Sequence, residues 1–412
     1  MRSTSCREVA QDVLQRCVDG KPPKHLPLTL TEGPCAPALF SVLVEGLADR
    51  FEPSLCDAYA RLFSQAIEHV TGADAATLVS RYERVRRPRK LKGNPKRVFV
   101  LSRITLGADV AVTSVLLAAA KQRFRRAKIS LAGPTKNYEL FAKDPRIHHA
   151  RVDYARGSLR QRLAAADELS ALVAEPDCVV IDPDSRLTQL GLLPVCPDER
   201  YQLFESRAYS GRGLLACPSS PDKSLPELAS DWASETLGIN GAKPYIAVVS
   251  GKHTARKQAP YIAVSLGVGE NAAKRIADPF EEQLLALLAK TGLPICIDKG
   301  AGGGEAERVE RAVERSGVTV TFWEGSFAGF ASLIAASKLY VGYDSAGQHI
   351  AAACGVPLIS VFAGFPAPRM FERWRPVGPN CQVIRVDQPD PAETIERVRE
   401  ALRAHKFSGM AG

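Results

Sequence analysis

From residue 97 onward, short apolar runs rich in Val and Ile alternate with helical stretches, and this alternation narrows the choice of fold more than any other feature. RVFVLSRI is followed by VTSVLLAAAKQRF, then by KISLAG, NYELFA, HHARVD, SLRQRLAAADEL and DCVVIDPDS. Parallel strands need a long crossover between them, normally a helix, so this pattern implies βαβ units with helices on both faces of a sheet. Residues 218 to 240, opening PSSPDKSLPEL, break the pattern with Pro and Ser. A second series follows: YIAVSLG, FEEQLLALLAKT, PICID, EAERVERAVERS, VTVTFW, FAGFASLIAAS, LYVGY, QHIAAACG, PLISVF and CQVIRV. The expected fold class is α/β, two Rossmann-like doubly wound domains facing a cleft. Their expected bounds are 97–240 and 241–390, with a C-terminal helix and tail at 391–412. The last helix, PAETIERVREALRAH, is expected to pack back onto the first domain. PYIAV at 244–248 and again at 260–264 reads as two similar neighbouring strands, and the basic loop between them, SGKHTARKQA, as cleft-facing.

The chain has 412 residues, enough for these two domains and an extension. Residues 1–83 read as helices, because REVAQDVLQRC, ALFSVLVEGLADRF and LCDAYARLFSQAIEHV place apolar residues three and four apart. A basic linker, 84–96, separates this helical extension from the first domain. The formal charge of +9 concentrates here: RYERVRRPRKLKGNPKR (81–97) holds nine basic residues and one acid, 9 − 1 = +8. That stretch reads as a solvated linker or as a patch for anionic phospholipid, since a Lys or Arg near such a surface contributes about 1 kcal/mol. Nucleic acid is not the expected partner, because base or groove reading needs a basic face with recognition elements. No apolar run approaches a membrane-spanning length and the N-terminus lacks the apolar core of a signal peptide, so a cytoplasmic protein, peripheral to the inner face of a membrane at most, is expected. Ten scattered cysteines with no CxxC pair are expected to be free thiols.

The stretch YVGYDSAGQHIAAACGVPLISVFAG, residues 340–364, ends a strand at Asp344-Ser345-Ala346-Gly347 and begins a helix of small residues. In open α/β sheets ligands sit beyond the C-terminal strand ends, where helix N-termini offer free N–H groups and a partial positive charge. The small residues 345–347 fit a diphosphate cradle. A tight strand-to-helix turn capped by Asp344 fits them equally. His349 alone reads as readily as a structural histidine.

DSAGQHIAAACGVPLISVFAG together with RWRPVG (373–378) resembles the C-terminal signature of family 9 glycosyltransferases, whose best-known members are ADP-heptose:lipopolysaccharide heptosyltransferases. The resemblance covers about 97–405 and leaves residues 1–95 without a role. Ala346 stands where the family usually has Gly. The resemblance implies a GT-B-like inverting glycosyltransferase acting in lipopolysaccharide biosynthesis. The first domain would take a saccharide or glycolipid acceptor, and the second a nucleoside-diphosphate sugar, a heptose for the best-known members. No cofactor and no metal is implied.

Residue by residue, RVFVLSRITLGADVAVTSVLLAA is similar to the family's opening strand, turn and helix, which puts Asp109 on the family's general base; the family's Gly-Asp is here Gly107-Ala108-Asp109. SLGVGENAAKRIADPF puts Lys274 on the lysine that neutralises the diphosphate, with Arg275 beside it for a phosphate or carboxylate. Asp344, Ser345, Ala346, Gly347 and His349 fall on the donor side. In KGAGGGEAERVERAV, Glu305 or Glu307 falls near the family's ribose-binding acid. VVIDPDSRLTQLG is similar to the acceptor-side loop and offers Asp182, Asp184 and Arg186. An epimerase or hydrolase of nucleotide sugars on the same architecture, or a non-catalytic nucleotide-sugar-binding protein, are the competing functions.

Overall fold

Both predicted strand series form parallel sheets. The computed structural model of the protein describes residues 5–210, 223–248, 259–269, 271–300 and 302–405; of the loop at 250–259 expected to face a cleft, residues 250–258 lie outside them. The first sheet comprises β1 (Arg97–Leu101), β2 (Lys128–Gly133), β3 (Ile147–Arg151), β4 (Cys178–Asp182) and β5 (Tyr201–Leu203), in the order β3-β2-β1-β4-β5. The second comprises β6 (Ile262–Ser265), β7 (Ile295–Asp298), β8 (Thr321–Trp323), β9 (Leu339–Tyr343), β10 (Leu358–Phe362) and β11 (Cys381–Arg385), in the order β11-β10-β9-β6-β7-β8. Every pairing is parallel. The central strands are buried along their whole length, as strands covered by helices on both faces must be. Each sheet reverses its winding once, between β1 and β4 in the first and between β6 and β9 in the second, and these are the places where ligands collect in such sheets.

The chain divides into two compact units. Unit 1 is Met1–Tyr138, Asp144–Pro244 and Pro366–Arg373; unit 2 is Glu139–Lys143, Tyr245–Phe365 and Trp374–Gly412. The N-terminal helices are not a separate body. Leu39, Phe40, Leu43, Leu62, Phe63, Ile67 and Tyr82 belong to the same buried cluster as Phe99, Leu101, Val180 and Leu203 of the first sheet. The expected division at residues 83 and 97 therefore falls inside one hydrophobic core. The last helix, Pro391–Ala404, also differs from expectation: Ile395, Val398, Ala401 and Leu402 complete the core of the second sheet. Of the two PYIAV stretches only the second forms a strand; in the first, Ala247 exchanges backbone hydrogen bonds with Leu140 and Lys143 instead of joining a sheet.

Two further expectations change. Cys6 and Cys35 form a disulfide with Cα atoms 5.3 Å apart, a pairing that a sequence separation of 29 concealed. The basic run is not a free linker. Arg81 and Arg84 pair with Asp198, Arg86 with Asp57, Glu83 and Glu205, Lys96 with Asp177, and Arg97 with Glu175. Arg89 donates to the Tyr201 carbonyl. Exposed and without a carboxylate partner among the described residues are Arg87, Lys90 and Lys92. No helix among the described residues is long and apolar enough to cross a membrane.

Candidate active site

In unit 2, the residues singled out at 344–349 gather where the winding reverses. Lys274 Nζ lies 2.6 Å from Asp344 Oδ2 and 3.2 Å from the Asp344 carbonyl oxygen. The lysine sits on the turn Ala272–Lys274, which Asn271 caps by accepting from the Ala273 amide. Gly364, at φ +68°, lets that turn come close: a Cβ there would overlap the backbone of Ala273 and Lys274. Asp344 is held from its other side by Gln348 Nε2, and Gln348 Oε1 accepts from Ser360 Oγ at 2.6 Å. Gln348 and Ser360 are both fully buried. Sequence reasoning missed them because neither type at that spacing signals a charge clamp.

The helix Ala346–Ala353 begins directly beside this pair, and Ser345 at its N-cap makes no side-chain capping bond. Its first amides therefore stay available for an anion. Gly347 has a different reason to be small: a Cβ there would overlap the Tyr340 ring and hydroxyl, and the residue is buried beneath them. Ser345 and Ala346 are the partly exposed members of the turn. His349 lies edge-on to the Trp374 ring with centroids 5.9 Å apart, and burial pushes its pKa down to about 4, so it is neutral at physiological pH.

Arg275 is already engaged. Its guanidinium pairs with Asp278 and with Glu281, which is buried and also takes Arg308 and the Tyr343 hydroxyl. That network braces the start of the helix Phe280–Ala289 and leaves Lys274 as the cation at the cradle. The two glutamates separate cleanly. Glu305 folds back between the exits of β6 and β7, against Gly267 and Gly300, where any Cβ on Gly300 would strike its carboxylate. Glu307 points outward, with a side chain 69% exposed, towards Arg311.

In unit 1 the winding reversal between β1 and β4 is filled by a polar network. Asp109 is 0% exposed. Its Oδ1 accepts from the Arg103 amide at 2.7 Å and from Thr113 Oγ1 at 2.6 Å; its Oδ2 accepts from Ser102 Oγ and Asn137 Nδ2, both at 2.6 Å. Burial raises its pKa and these four donors oppose the rise. Asp182 is likewise enclosed, bonded to the Ser185 amide, Thr188 and Tyr201, and burial pushes its pKa up to about 6. Asp184, at φ +69°, takes both Arg207 Nε at 2.9 Å and Nη2 at 3.1 Å, together with Ser206 Oγ at 3.0 Å. These two aspartates, acceptor candidates from the sequence, are buried and fully engaged by their own unit. Arg186 is partly exposed and pairs with Glu45 of an N-terminal helix at 2.8 Å. The principal buried charges missed in the sequence are Glu205 and its partners: Arg86 Nε at 2.8 Å, the Tyr82 hydroxyl, and Arg207 close by. Arg86 and Tyr82 lie more than a hundred residues from Glu205 in the chain, beyond any motif.

Residues 226–403, which hold the Lys274–Asp344 pair and the helix that follows it, match the family model described as glycosyltransferase family 9 (heptosyltransferase). Over that stretch the chain is similar to the family 9 glycosyltransferases. Solved structures agree in fold. E. coli heptosyltransferase WaaC with ADP shares 19% identity and a TM-score of 0.56, covering 74% of this chain and 99% of that one. E. coli ADP-heptose lps heptosyltransferase II shares 18% identity and a TM-score of 0.53 over 75% of this chain and 98% of that one. A family 9 glycosyltransferase from Veillonella parvula DSM 2008 shares 14% identity and a TM-score of 0.55 over 78% and 94%. No curated protein matches the chain. The two parallel sheets thus match the GT-B-like fold of these structures, and the N-terminal helices are present as expected.

Proposed function

We propose that the protein transfers a sugar from a nucleoside-diphosphate sugar to a saccharide or glycolipid acceptor, with inversion at the anomeric carbon. The observation that carries this reading is the Lys274–Asp344 pair beside the uncapped N-terminus of helix Ala346–Ala353, at the winding reversal of the second sheet. Asp344 fixes the ammonium in place, and the lysine and the amides of Ser345 and Ala346 then oppose the charge growing on the departing diphosphate. In this reading Glu305, whose carboxylate lies against Gly267 and Gly300, accepts from the ribose hydroxyls. E. coli WaaC is described with ADP-2-deoxy-2-fluoro heptose, so an ADP-linked heptose is the first donor to test. Asp109 serves as the general base towards the acceptor hydroxyl.

A second reading of Asp109 is favoured by its burial and its four donors. In that reading the carboxylate anchors the turn after β1 and takes no proton. A contact with anionic membrane through 84–97 would rest on Arg87, Lys90 and Lys92, about 3 kcal/mol at about 1 kcal/mol each.

The test is product analysis with donor alone and with donor plus acceptor. Transfer only in the presence of acceptor supports the proposal. Turnover of donor alone at the same rate supports the epimerase or hydrolase, and binding with no turnover in either case supports a non-catalytic protein.

A further inference from the structure

RWRPVG carries part of the family resemblance, but the resemblance gives its arginines no role. The first of them, Arg373, lies one turn after Arg369 on the short helix Pro368–Trp374, and both belong to unit 1. A buried cation is normally matched by a carboxylate. Elsewhere in the unit the usual match is a carboxylate: Arg81, Arg86 and Arg207 each have a carboxylate oxygen within 2.9 Å, while buried Arg162 is met by the Gly157 and Arg156 carbonyls and the Tyr154 hydroxyl. Arg369 and Arg373 depart from it. Arg369 Nη1 donates to the Phe51 carbonyl at 2.8 Å and Arg373 Nη1 to the Lys223 carbonyl at 2.6 Å, and neither forms an ion pair among the described residues.

Arg373 is 6% exposed, and its Nε is buried with no hydrogen-bond partner. Its Nη2 makes no hydrogen bond among the described residues and is not sealed from solvent. Nε–H and Nη2–H point along one edge of the planar guanidinium, the edge that meets the two oxygens of a carboxylate or phosphate side-on. The spent donor, Nη1, fixes the orientation of that edge. Burial and the neighbouring charge of Arg369 together push the Arg373 pKa down to about 10, against a weaker opposing pull from Glu372. An anion on the open edge would relieve both effects at once.

We infer that the Nε–Nη2 edge of Arg373, with Arg369 one turn away, is a binding site in unit 1 for an oxyanion, a phosphate or carboxylate group carried by a ligand. The inference does not depend on Lys274 or on the proposed reaction. Two ligands could supply the oxyanion, a nucleotide's phosphate or an acidic group on another substrate.

The test uses the full chain and the variants Arg373→Lys and Arg373→Gln. Melting temperature is measured in phosphate, malonate and chloride at equal ionic strength, and ADP is titrated by calorimetry. Phosphate or malonate should raise the wild-type melting temperature above that in chloride. Lysine keeps the charge but not the fork, so Arg373→Lys should weaken the anion about tenfold, and Arg373→Gln should abolish the response. ADP affinity falling in parallel assigns the site to the nucleotide's phosphate; ADP affinity unchanged while phosphate or malonate loses its effect assigns it to another ligand. Equal responses to anions and to ADP in wild type and Arg373→Lys would overturn the inference, as would a wild-type protein that distinguishes none of these anions from chloride. If Arg373→Gln does not fold, the comparison of wild type with Arg373→Lys decides alone.

Discussion

Asp109→Asn separates the two roles of this carboxylate, and the structure sets what each predicts. The Arg103 amide can only donate, so the side-chain oxygen of the substituted asparagine must take the Oδ1 position, where Thr113 also bonds. The new amide nitrogen then faces Ser102 Oγ and Asn137. Both can turn to accept it. Ser102 Oγ already receives the Ile104 amide at 2.9 Å but has a second lone pair. Asn137 Oδ1, buried and without a partner, comes into place when its amide flips. The shell therefore survives, with charge-assisted bonds weakened to neutral ones and one hydroxyl proton left over, at a cost of roughly 1–3 kcal/mol. For units of this size that is a melting shift of several degrees at ~2–4 °C per kcal/mol. If Asp109 is the base, the transfer rate falls by about 10²- to 10⁴-fold, while donor affinity, proposed to rest on Lys274 and the 345–346 turn, is unchanged. The measurements are initial transfer rate with donor and acceptor, ADP affinity by calorimetry, and the thermal melt. A folded, donor-binding variant with a near-normal rate refutes the general-base role. Loss of the cooperative melt refutes this relaxation of the shell and makes the anchoring role primary.

Other outcomes follow from the same geometry. Lys274→Ala should weaken ADP binding at least about tenfold, and Gly364→Ala should do so more mildly by displacing the 272–274 turn; unchanged ADP affinity in calorimetry for both would remove Lys274 from the cradle. Deleting residues 1–83 should abolish cooperative melting of unit 1, since each buried Leu, Ile or Phe lost from the shared core is worth about 1.5–3 kcal/mol and a domain holds only about 5–15 in total. A cooperative melt of the truncated chain by calorimetry would show that the core tolerates their loss. Reversing Arg87, Lys90 and Lys92 to Glu should lower co-sedimentation with anionic vesicles, and equal sedimentation would end the membrane proposal. His349, with its folded pKa depressed to about 4, is neutral when folded and takes up a proton on unfolding below about pH 6.5, so its contribution to stability is present above pH 6.5 and is lost as pH falls towards 4. Asp182, raised to about 6, acts in the opposite sense, so the difference between wild type and His349→Gln is what should be measured by denaturant titration: about 3 kcal/mol less acid destabilisation in the variant.

What the sequence disclosed was mostly local. Strand and helix alternation depends on patterns a few residues long, and both sheets could be read from it. The cradle was legible for the same reason: Asp344, Ser345, Ala346 and the helix after them are consecutive. Lys274 came from a resemblance, because the separation of 70 between it and Asp344 carries no periodic signal. Some expectations failed where one residue type serves two purposes. Gly347 reads as room for a ligand but clears Tyr340; Arg275 reads as a phosphate ligand but pairs with Asp278 and Glu281. The basic run misled most, since its acids lie far away at Asp57, Asp177, Asp198 and Glu205, and charge counted along a chain says nothing about charge paired across a fold.

The turn before Asp109 shows how one additional residue can be absorbed at the start of a helix. By the resemblance, the family's Gly-Asp corresponds to Gly107-Ala108-Asp109 here, one residue longer. A rigid α-helix would carry that extra residue forward as a rotation of about 100° per residue at ~3.6 residues per turn, turning the apolar face of Val115, Leu116 and Ala119 away from the sheet. The chain instead runs α over Leu106–Ala108, π over Asp109–Thr113 and α again over Ser114–Arg123. A π turn closes its hydrogen bonds one residue later than an α turn, so it takes up one additional residue within a single turn. Val115, Leu116 and Ala119 are accordingly fully buried. Thr113 closes the π turn at its far end and also donates to Asp109 at its start, so the carboxylate and the bulge hold each other in place. The same four hydrogen bonds that argue for an anchor also hold Asp109 at the winding reversal, and only a measurement on the reacting proton distinguishes anchoring from catalysis.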